Sequence, residues 1–244
     1  MNHDLPEGVQ CLAVTPQEKN TLEIFRTFYY DVYVKAFPNP DECESYENLI
    51  AYIDKYGESD LYVHILLFYT KEDIVGGVIF DYFDDIKTLA IEFIVVADKY
   101  QRRGLAGKMI DYTKTYLKDV HHRLVEWMII EIDNPQYVES SDFSYMYFWD
   151  KCNMRAIDFN YIQPALSPNQ NPVEVLLLCA RKESHDSNLI EREHVKKFLT
   201  LYAHYAMKIE YPLKDNSIQA MFTELDNRDE DVLELISLNN YFAF

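Results

Sequence analysis

The stretch 91–117 constrains the fold most, because its pattern predicts a strand, a turn and a helix in direct succession. A continuous apolar run, broken by the carboxylate of Glu92, leads into a polar turn that contains arginine and glycine. The apolar residues that follow are three and four positions apart, which indicates a helix. The first N–H groups of a helix lack intrahelical acceptors and lie at the positive end of its dipole. Such a turn therefore favours an anion, especially a phosphate.

The residues of this turn suit a phosphate in two further ways. Small residues at Gly104, Ala106 and Gly107 let a ligand approach the backbone closely. Arg102, Arg103 and Lys108 supply positive charge beside it. An ordinary strand-to-helix turn with surface arginines is the alternative interpretation.

The run 101–106 resembles the Q/R-x-x-G-x-G/A signature of the GNAT superfamily, the acyl-CoA-dependent N-acyltransferases. As in that family, it stands five residues after Val96, which ends the predicted strand. The resemblance implies that the turn holds the pyrophosphate of coenzyme A and that the strand end, Ile94, Val95 and Val96, pairs with the pantetheine arm. The turn residues implied in this role are Gln101, Arg102, Arg103, Gly104, Leu105, Ala106 and Gly107.

Composition limits the class of partner. The 244-residue chain has a formal net charge of −18 and 15% aromatic residues, which argue against a nucleic-acid partner and against disorder. The negative field favours cationic substrates such as amines, polyamines or lysine side chains. A solvated acidic surface explains the same charge without any substrate.

The cysteines and the termini predict a metal-free protein of the cytoplasm. Four cysteines are scattered without a CxxC pair, so we expect neither a metal site nor a disulfide framework. Residues 1–4 do not begin a signal peptide, and no apolar run is long enough to cross a bilayer, so no membrane partner is expected.

Periodicity predicts a mixed α/β (α+β) chain over residues 7–182. The order is strand, two helices, three strands, helix, strand, helix and two strands, which is also the GNAT order. Thr15 and Pro16 are expected to start the first helix, and residues 81–87 the turn before the third strand of a meander. The resemblance implies a mostly antiparallel GNAT-type sheet flanked by helices.

Residues 183–244 fall outside the resemblance and are predicted to form a C-terminal helical extension of the 1–182 domain. Apolar stripes indicate one helix through Val195 to Ile209 and a second through Ile218 to Leu225, capped by Asn216 or Ser217. Val232, Leu233 and Ile236 suggest a third, shorter helix. The stripes either dock on the acetyltransferase domain or form a homodimer or partner surface.

Acetyl transfer to an amine needs a base, a donor for the oxyanion and an acid for the leaving thiolate. Glu92 is the candidate base, since a carboxylate within an apolar strand is costly unless it is paired or faces a cleft. The structural alternative is a strand-edge Glu that faces solvent or pairs with a basic residue. The resemblance implies that a bulge near residues 94–96 frees a backbone N–H for the oxyanion.

The expected acid is where the chain departs from the family. The family pattern N-x-x-A-x-x-F-Y places a tyrosine hydroxyl near the thioester sulfur, and Trp149 stands at that tyrosine position here. Tyr145, one turn earlier on the same face, could restore the hydroxyl, and Tyr147 is a second candidate on another face. Aromatic packing is the alternative for both, and departure of the thiolate without a dedicated acid is a further alternative.

Three further polar residues have weaker assignments. Asn134 is a candidate to bind the pantetheine amides, or simply to terminate its strand in a turn. Glu42 and Glu44 lie where GNAT proteins often shape the acceptor pocket, although carboxylates at a helix start are stabilising by themselves.

The sequence therefore predicts a cytoplasmic acetyl-CoA-dependent N-acetyltransferase that acts on a primary amine of a small molecule, a lysine or an N-terminus by direct transfer. Two alternatives stay open. One is a catalytically weak GNAT-fold acyl-CoA sensor or interaction protein that acts through its C-terminal helices. The other is an enzyme that transfers a longer acyl or an aminoacyl group.

Overall fold

The computed structural model describes residues 5–37, 43–56, 62–137, 143–165 and 170–241. The chain forms two compact units, residues 1–125 and 126–244. Both combine helices with antiparallel strands, which confirms the predicted mixed α/β class with a mostly antiparallel sheet. No helix within these described ranges is long and apolar enough to cross a membrane.

The first unit is built on a four-stranded antiparallel meander in sequential order. Its strands are β1 (Gln10–Ala13), β2 (His64–Tyr69), β3 (Ile74–Phe83) and β4 (Thr88–Val96). Strands β2 and β3 are buried along almost their whole length, as their continuous apolar sequence requires. A hairpin turn at residues 71–73 joins them, and the Thr70 N–H donates to the Asp73 carbonyl at 2.8 Å across it.

Four helices accompany this meander: α1 (Lys19–Phe28), α2 (Val34–Ala36), α3 (Tyr46–Tyr56) and α4 (Leu105–His121). A π-helical segment, Tyr29–Tyr33, joins α1 to α2. The predicted start at Thr15 and Pro16 is wrong, because Glu18 is the N-cap of α1. The Thr15 N–H and carbonyl bond instead to the hydroxyl of Thr21, at 3.2 and 3.0 Å.

The predicted turn at residues 81–87 begins too early. Strand β3 continues to Phe83, and a 3₁₀ turn, Asp84–Ile86, reverses the chain. Asp81 is fully buried in the strand and accepts a hydrogen bond from the Val63 N–H at 2.7 Å. A buried carboxylate with a backbone donor is tolerated inside a strand, which composition alone did not reveal.

Strand β4 contains a β-bulge at Glu92. Phe80 pairs with Ile91 and Ile79 pairs with Phe93, so Glu92 is the extra residue on β4. The resemblance implied an irregularity near residues 94–96, but these pair regularly with Gly76, Gly77 and Val78. A bulge re-aims the side chain that it carries and is common beside active sites.

The second unit contains five antiparallel strands: β5 (Trp127–Asp133), β6 (Arg155–Ile157), β7 (Leu176–Lys182), β8 (Leu189–Glu191) and β9 (Val232–Ser237). Strand β7 pairs with β5 and β6, and β9 pairs with β6 and β8. The helices are α5 (Ser144–Lys151), α6 (Arg192–Tyr205) and α7 (Asn216–Asp226).

The predicted third helix of the C-terminal segment is wrong, because Val232, Leu233 and Ile236 belong to strand β9. Leu233 and Leu235 are buried in alternation, which is the period of a strand. The two longer helices are present as α6 and α7, although Asp215 rather than Asn216 or Ser217 caps α7. The carboxylate of Asp215 accepts from the Ser217 and Ile218 N–H groups at 2.9 and 3.2 Å.

Candidate functional site

The turn between β4 and α4 has the open, N–H-rich geometry that suits a phosphate. Arg102 and Gly104 have left-handed backbones, with φ of +61° and +73°, and Gly104 is the N-cap of α4. A Cβ added at Gly104 or Gly107 would meet no atom within 4 Å. The first turn of α4 therefore has open space beside Gly104 and Gly107, and its N–H groups lie at the positive end of a 17-residue helix.

Gln101 fastens this turn to the end of β4. Its side-chain amide donates to the Val96 carbonyl at 3.0 Å and to the Asp98 carboxylate at 3.2 Å. A shorter amide would not span this distance. The contact gives a physical reason for a glutamine five residues after the strand end.

Positive charge surrounds the turn. Arg102, Arg103 and Lys108 are exposed, and the Arg103 guanidinium lies 5.6 Å from the centroid of the Tyr100 ring. The Tyr100 hydroxyl donates to Asp73 of the β2–β3 hairpin at 3.1 Å, and Lys99 pairs with the same carboxylate. The Arg103 guanidinium therefore packs on the Tyr100 ring, and the Tyr100 hydroxyl is hydrogen-bonded to the β2–β3 hairpin.

The last residues of β4 leave backbone groups on the edge away from β3. The Ala97 N–H donates to Val75 of β3 at 2.9 Å. Because successive N–H groups of a strand point to opposite edges, those of Val96 and Ile94 point away from β3, whereas that of Val95 points toward it. Alternate amides on a strand edge are the groups that an extended amide-containing chain can pair with.

Glu92, the bulged residue, is half-buried, and its Oε1 atom is buried. Its negative charge, after the larger effects of burial and of Cys43, contributes to raising the pKa of the fully buried Tyr33. A carboxylate in such surroundings is chemically distinct from a solvated surface Glu.

Aromatic rings pack against the residue that follows Glu92 in the first unit. Phe93, the next residue of β4, lies 5.0 Å from the ring centroids of both Tyr33 and Phe37. Tyr33 belongs to the π-helical segment, and such segments are frequent at functional sites. Sequence reasoning missed Tyr33 as a neighbour of Glu92, although Tyr33 stands four residues after Tyr29, which is a helical spacing.

The geometry of Glu44 fits the structural alternative better than a substrate contact. Its buried carboxylate accepts from the Ser45 N–H at 3.0 Å, the Asn48 amide at 2.7 Å and the Tyr52 hydroxyl at 3.4 Å. These bonds organise the start of α3. Glu42 lies outside the described residues.

In the second unit, the side chain of Tyr145 in α5 contacts the end of β5. Its hydroxyl donates to the carbonyl of Asp133 at 3.3 Å. Burial, with a smaller contribution from the Asp133 charge, raises the pKa of Tyr145 to about 12. Burial also raises the pKa of Asp133. Tyr145 is therefore protonated at neutral pH and can donate.

The other candidates of this unit are placed differently. The Asn134 side chain accepts from the Gln136 N–H at 3.1 Å, which is the turn geometry that the sequence left open beside pantetheine binding. Tyr147 is 55% exposed, whereas Trp149 is buried. The structure thus brings Tyr145 next to the β5 end, close in sequence to Asn134, and leaves Tyr147 on the exposed face of α5.

No group of three or more metal-ligating side chains occurs among the residues that the structure describes.

The family profile described as "Acetyltransferase (GNAT) family" matches residues 26–139. This range contains Glu92, the turn at 101–107 and Asn134, and it ends before Tyr145. A search of curated proteins by sequence gave no match.

Solved structures of known proteins share the fold. A protein of Bacteroides thetaiotaomicron assigned to the GNAT family is 16% identical, with a TM-score of 0.59 over 84% of this chain and 99% of that one. The spermidine N-acetyltransferase of Vibrio cholerae, in complex with CoA and spermine, is 10% identical, with a TM-score of 0.51 over 73% of this chain and 98% of that one.

Proposed function

Because this chain belongs, through residues 26–139, to the acetyltransferase (GNAT) family, we propose that it transfers an acetyl group from acetyl-CoA to a primary amine. The observation that carries the proposal is the turn at residues 101–107, with its open backbone and exposed arginines at the start of α4. The proposed acceptors are primary amines of small molecules, lysine side chains and N-termini.

In the proposed donor complex, the pyrophosphate of acetyl-CoA lies on the N–H groups at the start of α4, and Arg102 and Arg103 pair with it. The pantetheine arm runs along β4 and hydrogen-bonds the outward N–H groups of Ile94 and Val96. A contact of Asn134 to the pantetheine amides stays a prediction from the sequence. Val95, Leu105, Ala106 and Gly107 shape the same cradle. Acetyl-CoA is a co-substrate, and the proposed reaction needs no metal.

The proposed reaction is a direct transfer. Glu92 takes a proton from the ammonium of the acceptor, and the free amine attacks the thioester carbonyl carbon. A backbone N–H at the end of β4 stabilises the oxyanion. The C–S bond breaks as the amide forms, the amide nitrogen loses its extra proton, and the thiolate of CoA gains one. The family resemblance assigns the donor of that proton to Tyr145, with Tyr147 as the second candidate.

The charge of −18 supports a cationic acceptor, because a negative field raises the local concentration of ammonium groups. Since the similar Vibrio cholerae protein acts on spermidine, polyamines belong among the amines to be tested. For residues 183–244 we retain the proposal of a C-terminal extension, with a homodimer or partner contact as its second role.

Charge reversal at the turn tests the donor half of the proposal. The double variant Arg102→Glu and Arg103→Glu is expected to raise the Kd for CoA at least about tenfold, because it replaces two charge-assisted phosphate contacts by repulsion. Calorimetry measures this. Lys118→Glu, an exposed charge reversal at the far end of α4, is the matched control. Unchanged CoA affinity in the double variant would remove the pyrophosphate assignment.

A further inference from the structure

The carboxylate of Asp73 connects the β2–β3 hairpin to the turn that follows β4. The Tyr100 hydroxyl donates to Asp73 Oδ2 at 3.1 Å, and the Lys99 ammonium pairs with the same oxygen. Asp73 and Tyr100 are 27 residues apart in the chain, so their hydrogen bond joins two separate connections of the meander. Neither residue belongs to the proposed donor cradle itself.

The hairpin that carries Asp73 is fixed by Thr70. The Thr70 N–H donates to the Asp73 carbonyl at 2.8 Å, and the Thr70 hydroxyl accepts from the N–H groups of Glu72 and Asp73 at 3.3 and 3.1 Å. A hydroxyl that binds the next backbone N–H groups stabilises a tight turn. The hydrogen bond from the Lys99 ammonium lowers the pKa of Asp73, so its carboxylate is ionised at neutral pH and can accept both bonds.

The ring of Tyr100 is held at both ends. Its N–H donates to the Ala97 carbonyl at 2.7 Å, and its hydroxyl is bound to Asp73. The Arg103 guanidinium lies 5.6 Å from the ring centroid, within the range of a cation–π contact. This guanidinium therefore packs on a ring that cannot turn away without losing the bond to Asp73.

The neighbouring Arg102 lacks such support. It is exposed, and within the described part of the chain it makes no hydrogen bond, ion pair or ring contact. A long side chain loses rotamer freedom when a ligand orders it, and this loss weakens binding. Arg103 has lost part of that freedom before any ligand binds, whereas Arg102 has not.

We propose that Asp73 and Tyr100 are positioning residues of the donor site, which hold the Arg103 guanidinium in place for the pyrophosphate of acetyl-CoA. This inference rests on the proposed function, which assigns the pyrophosphate to the turn. It gives the two arginines unequal roles, since the pre-ordered Arg103 contributes more to affinity than Arg102. It also gives the β2–β3 hairpin a part in donor binding.

Calorimetry of CoA binding to the full chain tests the unequal roles. Arg103→Gln is expected to raise the Kd for CoA about fivefold or more, and Arg102→Gln only about twofold. Tyr100→Leu removes the ring and should raise the Kd about threefold. Tyr100→Phe keeps the ring and loses only the bond to Asp73, so its Kd should lie between those of the wild type and Tyr100→Leu.

Double variants separate positioning from a general effect on the turn. Tyr100→Leu should have no further effect on the Kd in the Arg103→Gln background, but its full effect in the Arg102→Gln background. A merely structural role of Tyr100 would weaken binding equally in both. If Tyr100→Leu does not fold, Tyr100→Phe takes its place in the same two backgrounds.

Asp73→Asn tests the first member of the chain of contacts through the sign of its effect. Loss of a negative charge near a bound polyanion would by itself tighten binding, whereas loss of positioning weakens it. We expect a Kd for CoA that is raised about twofold or more.

Tyr30→Leu is the matched control for the tyrosine variants. Tyr30 is 49% exposed and packs on the rings of Tyr29 and Tyr46 rather than on the turn. Its replacement should leave the Kd for CoA within about 1.5-fold.

The outcomes distinguish this inference from the proposed function. A wild type that does not bind CoA would overturn both. If the wild type binds CoA, the inference alone is overturned by equal losses in Arg102→Gln and Arg103→Gln or by unchanged or tighter binding in Asp73→Asn. An effect of Tyr100→Leu that persists in the Arg103→Gln background would also overturn it.

Discussion

Glu92→Gln is expected to lower kcat for amine acetylation at least about a hundredfold and to leave the affinity for CoA unchanged. Glutamine has nearly the shape of glutamate but cannot accept the proton of the attacking ammonium. The bulge at Glu92 and the buried Oε1 atom support a specialised environment for this carboxylate. Steady-state kinetics with the best amine, together with calorimetry for CoA, measures the two quantities.

The control for this variant is Glu72→Gln, which removes an exposed carboxylate from the β2–β3 hairpin of the same unit. It should leave kcat within about twofold, since a solvated surface charge has little influence on a distant reaction. A pH profile adds a second criterion, because loss of the base should also remove the rise of kcat/KM with pH. Wild-type kcat in Glu92→Gln would exclude Glu92 as the base.

Gly76→Ala is expected to destabilise the first unit by at least about 3 kcal/mol, because overpacking against backbone cannot relax. A Cβ at Gly76 would lie 2.1 Å from the Val95 carbonyl oxygen and 2.5 Å from the Met109 Cε. The methionine side chain can move, but the β4 backbone cannot. Thermal unfolding should show a fall in Tm of about 6 °C or more, or no folded protein at all.

Gly107→Ala is the matched control, with the same chemical change at a glycine of the candidate turn. Its Cβ meets nothing within 4 Å, and alanine favours a helix by up to about 1 kcal/mol over glycine, so Tm should stay equal or rise. The same methyl group would enter the space assigned to the pyrophosphate, so CoA should bind less tightly. Equal stability of Gly76→Ala and Gly107→Ala would contradict the packing of β3 against β4.

The segment around α4 was predictable because its signals are local. Its apolar spacing predicted a helix within residues 91–117, and α4 runs from Leu105 to His121. The turn was identified from its residue types. Gln101 is explained by its hydrogen bond to the Val96 carbonyl, and Gly104 by its positive φ. Local patterns of this kind do not depend on how distant elements pack.

The errors arose where distant contacts decide the structure. Residues 232–236 form a strand because β9 pairs with β6, whose Ala156 lies opposite Ile236. A short apolar run does not distinguish helix from strand by itself. The bulge at Glu92 is likewise a property of the β3–β4 pairing.

The residues of the candidate site also separate into those with a local sequence signal and those placed by distant contacts. The residue types of the turn pointed to an anion, whereas the contacts of Glu131 join residues 30 to 71 positions apart and have no local signature. Tyr145 was identified from its place one turn before Trp149, and its hydroxyl proved to contact the end of β5. Sequence spacing therefore located the proposed donor site better than it located the hydrogen bonds of Glu131.

Amine-dependent release of CoA thiol from acetyl-CoA tests the proposed function most directly. The panel should contain monoamines, polyamines, a lysine peptide and a peptide with a free N-terminus, with mass spectrometry of each product. We expect thiol release with at least one primary amine, a product one acetyl group heavier, and loss of both in Glu92→Gln. CoA binding without amine-dependent release on any member of the panel would contradict the acetyltransferase assignment and favour an acyl-CoA sensor.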